Sequence, residues 1–174
     1  MSSRPPLHVD PLVTIFTDGA CENNPGPGGW AAILTSGRQR KAISGGCCRT
    51  TNNRMELRAV IEGLKALRKP KLRVRVVTDS RYVSEAVTQG WIERWAARGF
   101  RKGGGVRENA DLWIELRPLL GQHTVEFQWV AGHAGHPENE ECDRLAVAAR
   151  RQTALEEDAG YLVRPAVHAA LGLA

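Results

Sequence analysis

Short apolar runs that stop at turn residues open this chain, and each is typical of a buried strand. Residues 12–16 combine β-branched and aromatic side chains and end at the turn residues 17–19. Residues 30–34 and 40–48 predict two further strands, joined by a turn at residues 36–37. Because no helical pattern separates these segments, we expect them to form an antiparallel meander.

At Arg54 the apolar period changes from the spacing of a strand to that of a helix. The apolar positions that follow, three or four residues apart, are Leu57, Val60, Ile61, Leu64 and Leu67. This spacing places them on one face and predicts an amphipathic helix that Pro70 ends. The long helix therefore has one face available to pack on the sheet.

Strands and helices alternate along the rest of the chain. The pattern predicts strands at 72–77 and 125–130, helices at 81–89, 91–98, 111–120 and 138–151, and a glycine-rich basic loop at 101–107. A strand, a helix and a strand in succession imply a parallel crossover. The sequence therefore predicts an α/β fold with a five-stranded mixed sheet, in which an antiparallel meander is followed by parallel crossovers and helices flank the sheet.

Length and composition favour one globular domain. The chain has 174 residues, of which 42% are hydrophobic and 25% are charged, values that argue against disorder and against a membrane protein. We expect a short leader at residues 1–10, the folded domain at 11–161 and a C-terminal tail at 162–174. From Gln152 onward the composition is acidic and then rich in alanine without a clear core face, which predicts a peripheral or mobile appendage.

Net charge, hydropathy and cysteine content indicate the kind of partner and the cellular compartment to expect. Lys and Arg number 24 and Asp and Glu number 19, and the net charge of +5 suits a polyanionic partner. No apolar stretch approaches the roughly 20 residues that span a bilayer, and the N-terminus lacks the apolar core of a signal peptide. The four cysteines show no C-x-x-C spacing, which argues against structural zinc and a disulfide framework. We expect a cytoplasmic monomer with no membrane contact and no obligate protein partner.

Four carboxylates fall where the predicted elements would bring them to one edge of the sheet. Asp18 and Asp79 each follow a threonine at the carboxyl end of a strand, where open α/β sheets build their sites. Glu56 borders the apolar face of the long helix, and Asp143 adjoins the apolar stripe of the last helix. Taken singly, each has a structural alternative. The two aspartates could cap the next turn or helix, Glu56 could be a first-turn glutamate that the helix dipole stabilises, and Asp143 could lie on the surface.

Together, these four carboxylates predict a site for divalent cations. Acidic groups gathered at one sheet edge raise one another's pKa unless cations neutralise them. Mg²⁺ suits such a site because it accepts a few carboxylates, keeps waters and completes its shell with phosphate oxygens, and Mn²⁺ is the alternative ion. Two ions about 4 Å apart can activate water and stabilise the leaving oxygen in phosphodiester hydrolysis. The sequence therefore favours a two-metal hydrolase of phosphodiesters.

Two histidines lie in the glycine-rich loop before the last helix. In such a loop the His133 side chain can move and exchange protons near neutral pH, which suits proton transfer or product release. An inert loop histidine is the alternative for this residue. His136 precedes Pro137, which starts the helix, and we assign it a structural role.

Motifs in a fixed order and spacing resemble those of the bacterial ribonuclease HI family. They are Phe-Thr-Asp-Gly at 16–19, Asn-Pro-Gly-Pro-Gly at 24–28, Thr-Thr-Asn-Asn-Arg-Met-Glu-Leu at 50–57, Thr-Asp-Ser at 78–80 and Gly-His-Ala-Gly-His-Pro-Glu-Asn at 132–139, followed by Asp143. The resemblance covers residues 13–161. It implies the ribonuclease H fold and metal-dependent endonucleolytic cleavage of RNA within RNA/DNA hybrids, leaving a 5'-phosphate and a 3'-hydroxyl.

The resemblance also implies catalytic roles for individual residues. Asp18, Glu56, Asp79 and Asp143 look like the carboxylates that hold two Mg²⁺ ions when substrate is bound. His133 looks like the mobile histidine that assists proton transfer or product departure. Because all of these residues are present, an inactive relative is disfavoured.

The resemblance further implies which residues bind the hybrid. They are Asn24, Asn52 and Asn53 for the minor groove, and Arg49, Thr51 and Asn109 for a phosphate of the DNA strand. Turn and cap chemistry is the alternative for the asparagines. Residues 91–107, which include Trp91 and Trp95, interleave aromatic rings with cations and look like the family's basic protrusion.

Several positions depart from the family pattern. An extra Gly90 precedes the first tryptophan, Phe100 stands where tryptophan is usual, and the glycines at 103–105 replace a lysine-rich stretch. These changes predict weaker and more salt-sensitive hybrid binding than in lysine-rich relatives. Arg81 replaces the usual glutamine after the Asp-Ser pair, and it either adds a phosphate contact or alters the reading of the minor groove.

The sequence leaves two other functions to weigh. A hybrid-binding module without catalysis would use the basic, aromatic segment, but the complete set of carboxylates argues against it. A nuclease of the same fold with another substrate, like the related integrases and Holliday-junction nucleases, fits the His133 loop and the tryptophan-rich segment poorly.

Overall fold

A computed structural model describes residues 11–132 and 134–162, and its central feature is one mixed sheet. The strands of this sheet are β1 (Val13–Cys21), β2 (Gly26–Ser36), β3 (Gln39–Thr50), β4 (Arg73–Thr78) and β7 (Thr124–Trp129). A second, two-stranded sheet consists of β5 (Arg101–Lys102) and β6 (Gly105–Val106). The helices are α1 (Asn52–Lys65), α2 (Arg81–Thr88), α3 (Trp91–Ala97), α4 (Ala110–Gly121) and α5 (Pro137–Ala149).

The topology of the central sheet is the predicted one. Its five strands are ordered β3-β2-β1-β4-β7. β1, β2 and β3 pair antiparallel as a meander, whereas β4 lies parallel to β1 and β7 lies parallel to β4. The α/β class and the five-stranded mixed sheet are therefore confirmed. The parallel register pairs Thr17 with Thr78, which brings the residues after them to the same region of the sheet.

Helices cover both faces of the sheet because successive side chains of a strand point to opposite faces. Ala32 of β2 belongs to the core that contains Leu57 and Val60 of α1, whereas its neighbour Ile33 packs with Ala146 of α5. The apolar face that the spacing predicts for α1 is therefore the face that the protein buries. Two layers of helix enclose the sheet at the point where β1 and β2 meet.

The glycine-rich basic loop predicted at residues 101–107 is a short hairpin. β5 and β6 pair across a turn at Gly103 and Gly104, whose φ angles are 58° and 81°. Glycine adopts such left-handed angles without steric cost, so the glycines favour this tight turn. The loop prediction is wrong here because strands of two residues are too short to show a repeating pattern.

Residues 152–162, after α5, dock on the domain, and for this part of the segment the prediction of a peripheral or mobile appendage is wrong. The N–H of Cys48, on the edge strand β3, donates to the carbonyl oxygen of Glu156 at 2.9 Å. The Asp158 side chain is buried and binds the Arg54 guanidinium. These contacts are polar, so the pattern of apolar residues does not reveal them.

Some sequence predictions fall on residues outside the described ranges. They are the leader at 1–10, His133, and positions 163–174 of the predicted tail. Among the residues that the structure describes, no helix is both long enough and apolar enough to cross a membrane.

Candidate active site

Asp18 and Asp79 lie side by side where the parallel pairing of β1 and β4 ends. The last paired residues are Thr17 and Thr78, and an aspartate follows each of them. Oxygens from the carboxylates of Asp18, Asp79 and Glu56 lie within 4.8 Å of one another. The expected closeness of the two aspartates is confirmed, and Glu56 joins them from α1. We call these three residues the acidic cluster.

Glu56 reaches the aspartates because α1 passes very close to β1. The hydroxyl of Thr51 caps the helix by accepting a hydrogen bond from the Arg54 N–H at 3.4 Å, which places Glu56 near the helix start. A Cβ atom on Gly19 would collide with the backbone of Met55 and Glu56. Glycine at this position of β1 is therefore what allows the helix to bring its carboxylate to the sheet.

Burial and the repulsion between neighbouring acids make Asp18 and Glu56 hard to ionise. Burial, and next the charge of Asp79, raises the pKa of Asp18 from its ordinary 3.8 to about 8. The N–H of Gly19 opposes this rise by donating to the Asp18 carboxylate at 2.7 Å. Burial, followed by the charges of the two aspartates, also raises the pKa of Glu56 well above its ordinary value. An ion that neutralises the cluster would remove this penalty.

The cluster offers the ligands that a hard divalent cation requires. Glu56 Oε1 accepts a hydrogen bond from the Asn52 amide at 3.5 Å, whereas Glu56 Oε2 is buried and has no hydrogen-bond partner in the described ranges. Within residues 11–132 and 134–162, no carboxylate of the cluster forms an ion pair with a basic side chain. Buried carboxylate oxygens without a protein cation fit a metal that prefers oxygen ligands. Asp18, Glu56 and Asp79 are therefore the residues that can hold it.

Asp143 lies beside the acidic cluster. It is half-buried on α5, and its negative charge adds to the rise in the pKa of Asp18. The oxygens within 4.8 Å of one another do not include those of Asp143. His133, the fifth residue with a predicted catalytic role, lies outside the described residues.

Of the three asparagines predicted to bind the minor groove, Asn52 contacts the acidic cluster directly. Asn24 Oδ1 accepts a hydrogen bond from the Asn52 N–H at 3.0 Å, and the Asn52 side chain in turn contacts Glu56. Asn53 follows in the first turn of α1 and is exposed. Hydrogen bonding within the local turn explains the contact between Asn24 and Asn52. The same arrangement places the Asn52 amide against the Glu56 carboxylate.

The residues predicted to hold a DNA phosphate lie near the starts of α1 and α4. Thr51 caps α1, and Asn109 immediately precedes α4 with a φ of 58°. Asn109 is buried, and its Nδ2 donates to the Tyr82 hydroxyl at 3.0 Å, while its Oδ1 has no partner among the described residues. Arg49 is exposed at the end of β3.

The predicted basic protrusion consists of α3 and the β5–β6 hairpin. The ring centroids of Trp91 and Trp95 are 6.0 Å apart, and Trp95 meets Trp113 of α4 at 5.4 Å. The guanidinium of Arg107 lies 4.2 Å from the centroid of the Trp95 ring. Both Trp91 and Trp95 are half-buried, so they attach the segment to the domain as well as facing its surface.

Sequence reasoning missed the ion-pair network at the start of α1. The Arg54 guanidinium binds Asp111 of α4 and Asp158 of the C-terminal segment, each at 2.6 Å. A signal was present, because Arg54 stands three residues before Leu57 and therefore on the apolar face of the helix. A buried arginine needs acidic partners, but their positions depend on the fold.

Sequence reasoning also missed Trp129, the last residue of β7. Its indole N–H donates to the carbonyl oxygen of Asp79 at 2.8 Å. Its ring lies 4.3 Å from the guanidinium carbon of Arg81. The sequence signal was a tryptophan at a strand end, but its contact with Asp79 follows from the pairing of β4 with β7.

Carboxylates gathered where two parallel strands of an α/β sheet stop pairing suit metal-assisted hydrolysis, because open α/β sheets build their sites there and clustered acids can hold the ion. The RNase H family model matches residues 10–151, and the chain belongs to the ribonuclease H family. The confirmed fold and the resemblance drawn from the sequence motifs agree with this membership.

Several ribonucleases H are similar to this chain over most of its length. That of Nitratidesulfovibrio vulgaris is 51% identical over 150 residues, which cover 86% of this chain and 96% of that protein. The Escherichia coli enzyme is 52% identical over 152 residues, covering 87% and 96%. The Thermus thermophilus enzyme is 54% identical over 141 residues, covering 80% and 82%. A crystal structure of a type 1 ribonuclease H is similar with a TM-score of 0.74 and 36% identity, covering 99% of this chain and 87% of that one.

Proposed function

We propose that this chain is a metal-dependent endoribonuclease that hydrolyses the RNA strand of RNA/DNA hybrids and leaves 5'-phosphate and 3'-hydroxyl ends. One observation carries the proposal: Asp18, Glu56 and Asp79 bring carboxylate oxygens within 4.8 Å of one another in a chain of the ribonuclease H family. The hybrid substrate follows from that family. The mild excess of positive charge also suits a nucleic acid.

Mg²⁺ is the ion that we propose for the acidic cluster, with two ions held when substrate is present. Its preference for a few carboxylates, waters and phosphate oxygens matches these buried acids. When bound, the metal supplies an activated water and neutralises charge that develops on the phosphate. Mn²⁺ is the alternative, because it also accepts oxygen ligands.

The protein's own contribution is to hold the acids in place. The Gly19 N–H orients the Asp18 carboxylate, and the Asn52 amide orients Glu56. The indole N–H of Trp129 fixes the backbone of Asp79. In this proposal Asp143 completes the metal site from α5, and His133 moves a proton or helps the product to leave.

Substrate contacts belong to the surface around the acidic cluster. We propose that Asn24, Asn52 and Asn53 contact the minor groove, that Arg49, Thr51 and Asn109 hold a phosphate of the DNA strand, and that Trp91 and Trp95 support the basic protrusion. The hydrogen bonds that join Asn24, Asn52 and Glu56 favour this arrangement, because they couple the groove-reading amides to the cluster. A cytoplasmic location and a monomeric state stay predictions from the sequence.

Cleavage of four end-labelled substrates tests the proposal. Purified protein with Mg²⁺ is incubated with RNA/DNA hybrid, double-stranded RNA, single-stranded RNA and double-stranded DNA. We expect cleavage of the RNA strand of the hybrid alone, abolished by a chelator and lowered at least about 10³-fold in kcat/KM by Asp18→Asn. Glu126→Gln is the matched control, since that carboxylate is exposed on β7 and paired with Arg75.

Each other outcome contradicts a stated part of the proposal. Hybrid binding without cleavage would favour a non-catalytic module. Cutting of double-stranded DNA would mean that the fold is right and the substrate is wrong. Full activity of Asp18→Asn would remove Asp18 from the metal site.

A further inference from the structure

Arg81 stacks on an aromatic ring that is hydrogen-bonded to Asp79 of the acidic cluster. It is the first residue of α2, and Asp79 stands two positions before it. The guanidinium carbon lies 4.3 Å from the centroid of the Trp129 ring, and the Arg81 side chain is 69% exposed. An exposed arginine normally samples many rotamers, so a stacking partner reduces the entropy that it loses on binding a ligand.

Trp129 is itself fixed to the backbone of the cluster. Its register partner in β4 is Thr78, and its indole N–H donates to the carbonyl oxygen of Asp79 at 2.8 Å. The ring under Arg81 is therefore tied to a residue of the acidic cluster. The stack between Arg81 and Trp129 therefore has a defined position relative to the backbone of Asp79.

Arg81 also faces one carboxylate, that of Glu85 one turn further along α2. The distance from Arg81 Nη1 to Glu85 Oε1 is 3.8 Å, and the Glu85 side chain is 43% exposed. Exposed pairs of this kind contribute little free energy. Stacking leaves the N–H edge of a guanidinium free in its own plane, where it can donate two parallel hydrogen bonds to an oxyanion.

We propose that Arg81, held by Trp129, binds a backbone phosphate of the nucleic-acid strand whose neighbouring phosphate lies over the acidic cluster. This proposal rests on the proposed function. Two reasons favour a phosphate over a base edge as the ligand of Arg81. In the proposed function the acidic cluster receives a phosphate, and Asp79 of that cluster stands two positions before Arg81 in the sequence. A cation at Arg81 would also offset the repulsion between the buried carboxylates and a polyanionic strand. Phosphate contacts of this kind set the position of a strand and carry no sequence information.

A salt series with Arg81 variants tests this contact. The dissociation constant for the hybrid is measured in EDTA at several NaCl concentrations, and KM and kcat are measured with Mg²⁺. We expect Arg81→Gln to raise Kd and KM about tenfold, to leave kcat within about twofold, and to reduce the slope of log Kd against log salt by about 0.7 to 0.9, the change for one lost phosphate contact.

Two further variants and one control sharpen the result. Arg81→Lys keeps the charge but not the planar fork, so we expect the slope to persist while Kd rises about threefold. Trp129→Leu removes the ring, and we expect Kd in EDTA to rise by an intermediate amount. Arg75→Gln is the matched control, because Arg75 is exposed and paired with Glu126 but lies within β4, away from the strand end.

Three results would overturn the proposal. An Arg81→Gln variant with unchanged Kd would exclude any contact. A higher Kd with an unchanged salt slope would show a contact with a base or a sugar hydroxyl instead of a phosphate. A large fall in kcat at unchanged KM would give Arg81 another role. If the wild-type chain binds the hybrid without cleaving it, the EDTA arm still decides the contact while the proposed function fails.

Discussion

Two clusters of buried charge start within two residues of each other on α1, and they are built in opposite ways. In the first, Arg54 binds Asp111 and Asp158, and Thr50 donates a further hydrogen bond to Asp158 at 2.6 Å. In the second, Glu56 meets two aspartates, and no basic side chain of the described ranges pairs with it. The first cluster supplies its own counter-charge, whereas the second has none among residues 11–132 and 134–162.

The pKa directions show the same contrast. Burial alone would raise the pKa of Asp158, but the hydrogen bonds from Arg54 and Thr50, the positive charge of Arg54 and the Tyr161 N–H together leave that pKa below its ordinary value. In the acidic cluster, burial and like charges act together, and the pKa of Asp18 rises to about 8. The Arg54 cluster is therefore neutralised within the folded chain, whereas in the acidic cluster a proton or a cation would have to offset the repulsion between the carboxylates.

The largest effect that we expect comes from removing the cation of the Arg54 cluster. Arg54→Met leaves two carboxylates near each other without their partner, and the free energy of unfolding should fall by about 3 to 5 kcal/mol. Urea denaturation measures this change. The control Arg75→Met breaks an exposed pair, and we expect it to cost less than about 1 kcal/mol. Equal effects of the two variants would contradict the contrast between the clusters.

A smaller effect should follow from adding metal to the acidic cluster. An ion that binds only the folded state at about 100 times its Kd raises the free energy of unfolding by about 2.7 kcal/mol. Thermal unfolding with and without Mg²⁺ measures the shift in Tm. The double variant Asp18→Asn with Glu56→Gln should lose the shift, and an unchanged Tm in the wild-type chain would count against the cluster as a metal site.

The smallest effect should appear in the metal-free protein as pH changes. Because folding raises the pKa of Asp18, the folded state binds the proton more tightly, and ionisation of Asp18 costs stability as pH rises from about 4 to about 8. Asp18→Asn removes this cost, so its advantage over the wild-type chain should grow over that window, reaching roughly 1 to 2 kcal/mol at pH 8.

Ionisation of Asp158 should change the free energy of unfolding with pH in the opposite direction. Its pKa is lowered by folding, so its contribution is present above its ordinary pKa of 3.8 and is lost as pH falls through the lower folded value. For Asp18, the measurement is the urea midpoint of the wild-type chain and of Asp18→Asn, both in EDTA, at pH 5 and at pH 8. An advantage of Asp18→Asn that shrinks between these values would contradict the assignment.

Most of the acidic cluster could be predicted because periodicity gives direction. The Thr-Asp phrases locate Asp18 and Asp79, and the helical row of apolar residues turns Glu56 toward the sheet. The turn predicted at residues 17–19 is wrong, because β1 continues to Cys21 in its pairing with β2; only its parallel pairing with β4 ends at Thr17. The sequence also predicts Asp143 in this group; α5 brings it close enough for its charge to affect Asp18, and its role as a metal ligand stays a prediction.

The Arg54 cluster and the Trp129 contact could not be predicted in the same way. Arg54 stands on an apolar helix face, yet its partner Asp158 is 104 residues away in a polar segment without a pattern. Trp129 meets Asp79 only because β7 pairs with β4. Both depend on which distant segments become neighbours, and a local pattern holds no information about that choice.

The pair between Arg54 and Asp158 also has a consequence for the order in which the chain is made. Synthesis proceeds from the N-terminus, and early segments begin to fold before later ones exist. When α1, the whole sheet and α5 of a nascent chain have left the ribosome, Asp158, the more buried of the two carboxylates that bind Arg54, has not yet followed. The buried guanidinium of Arg54 therefore lacks one partner until synthesis is nearly complete, and the domain reaches its full stability only after residue 158 has left the ribosome.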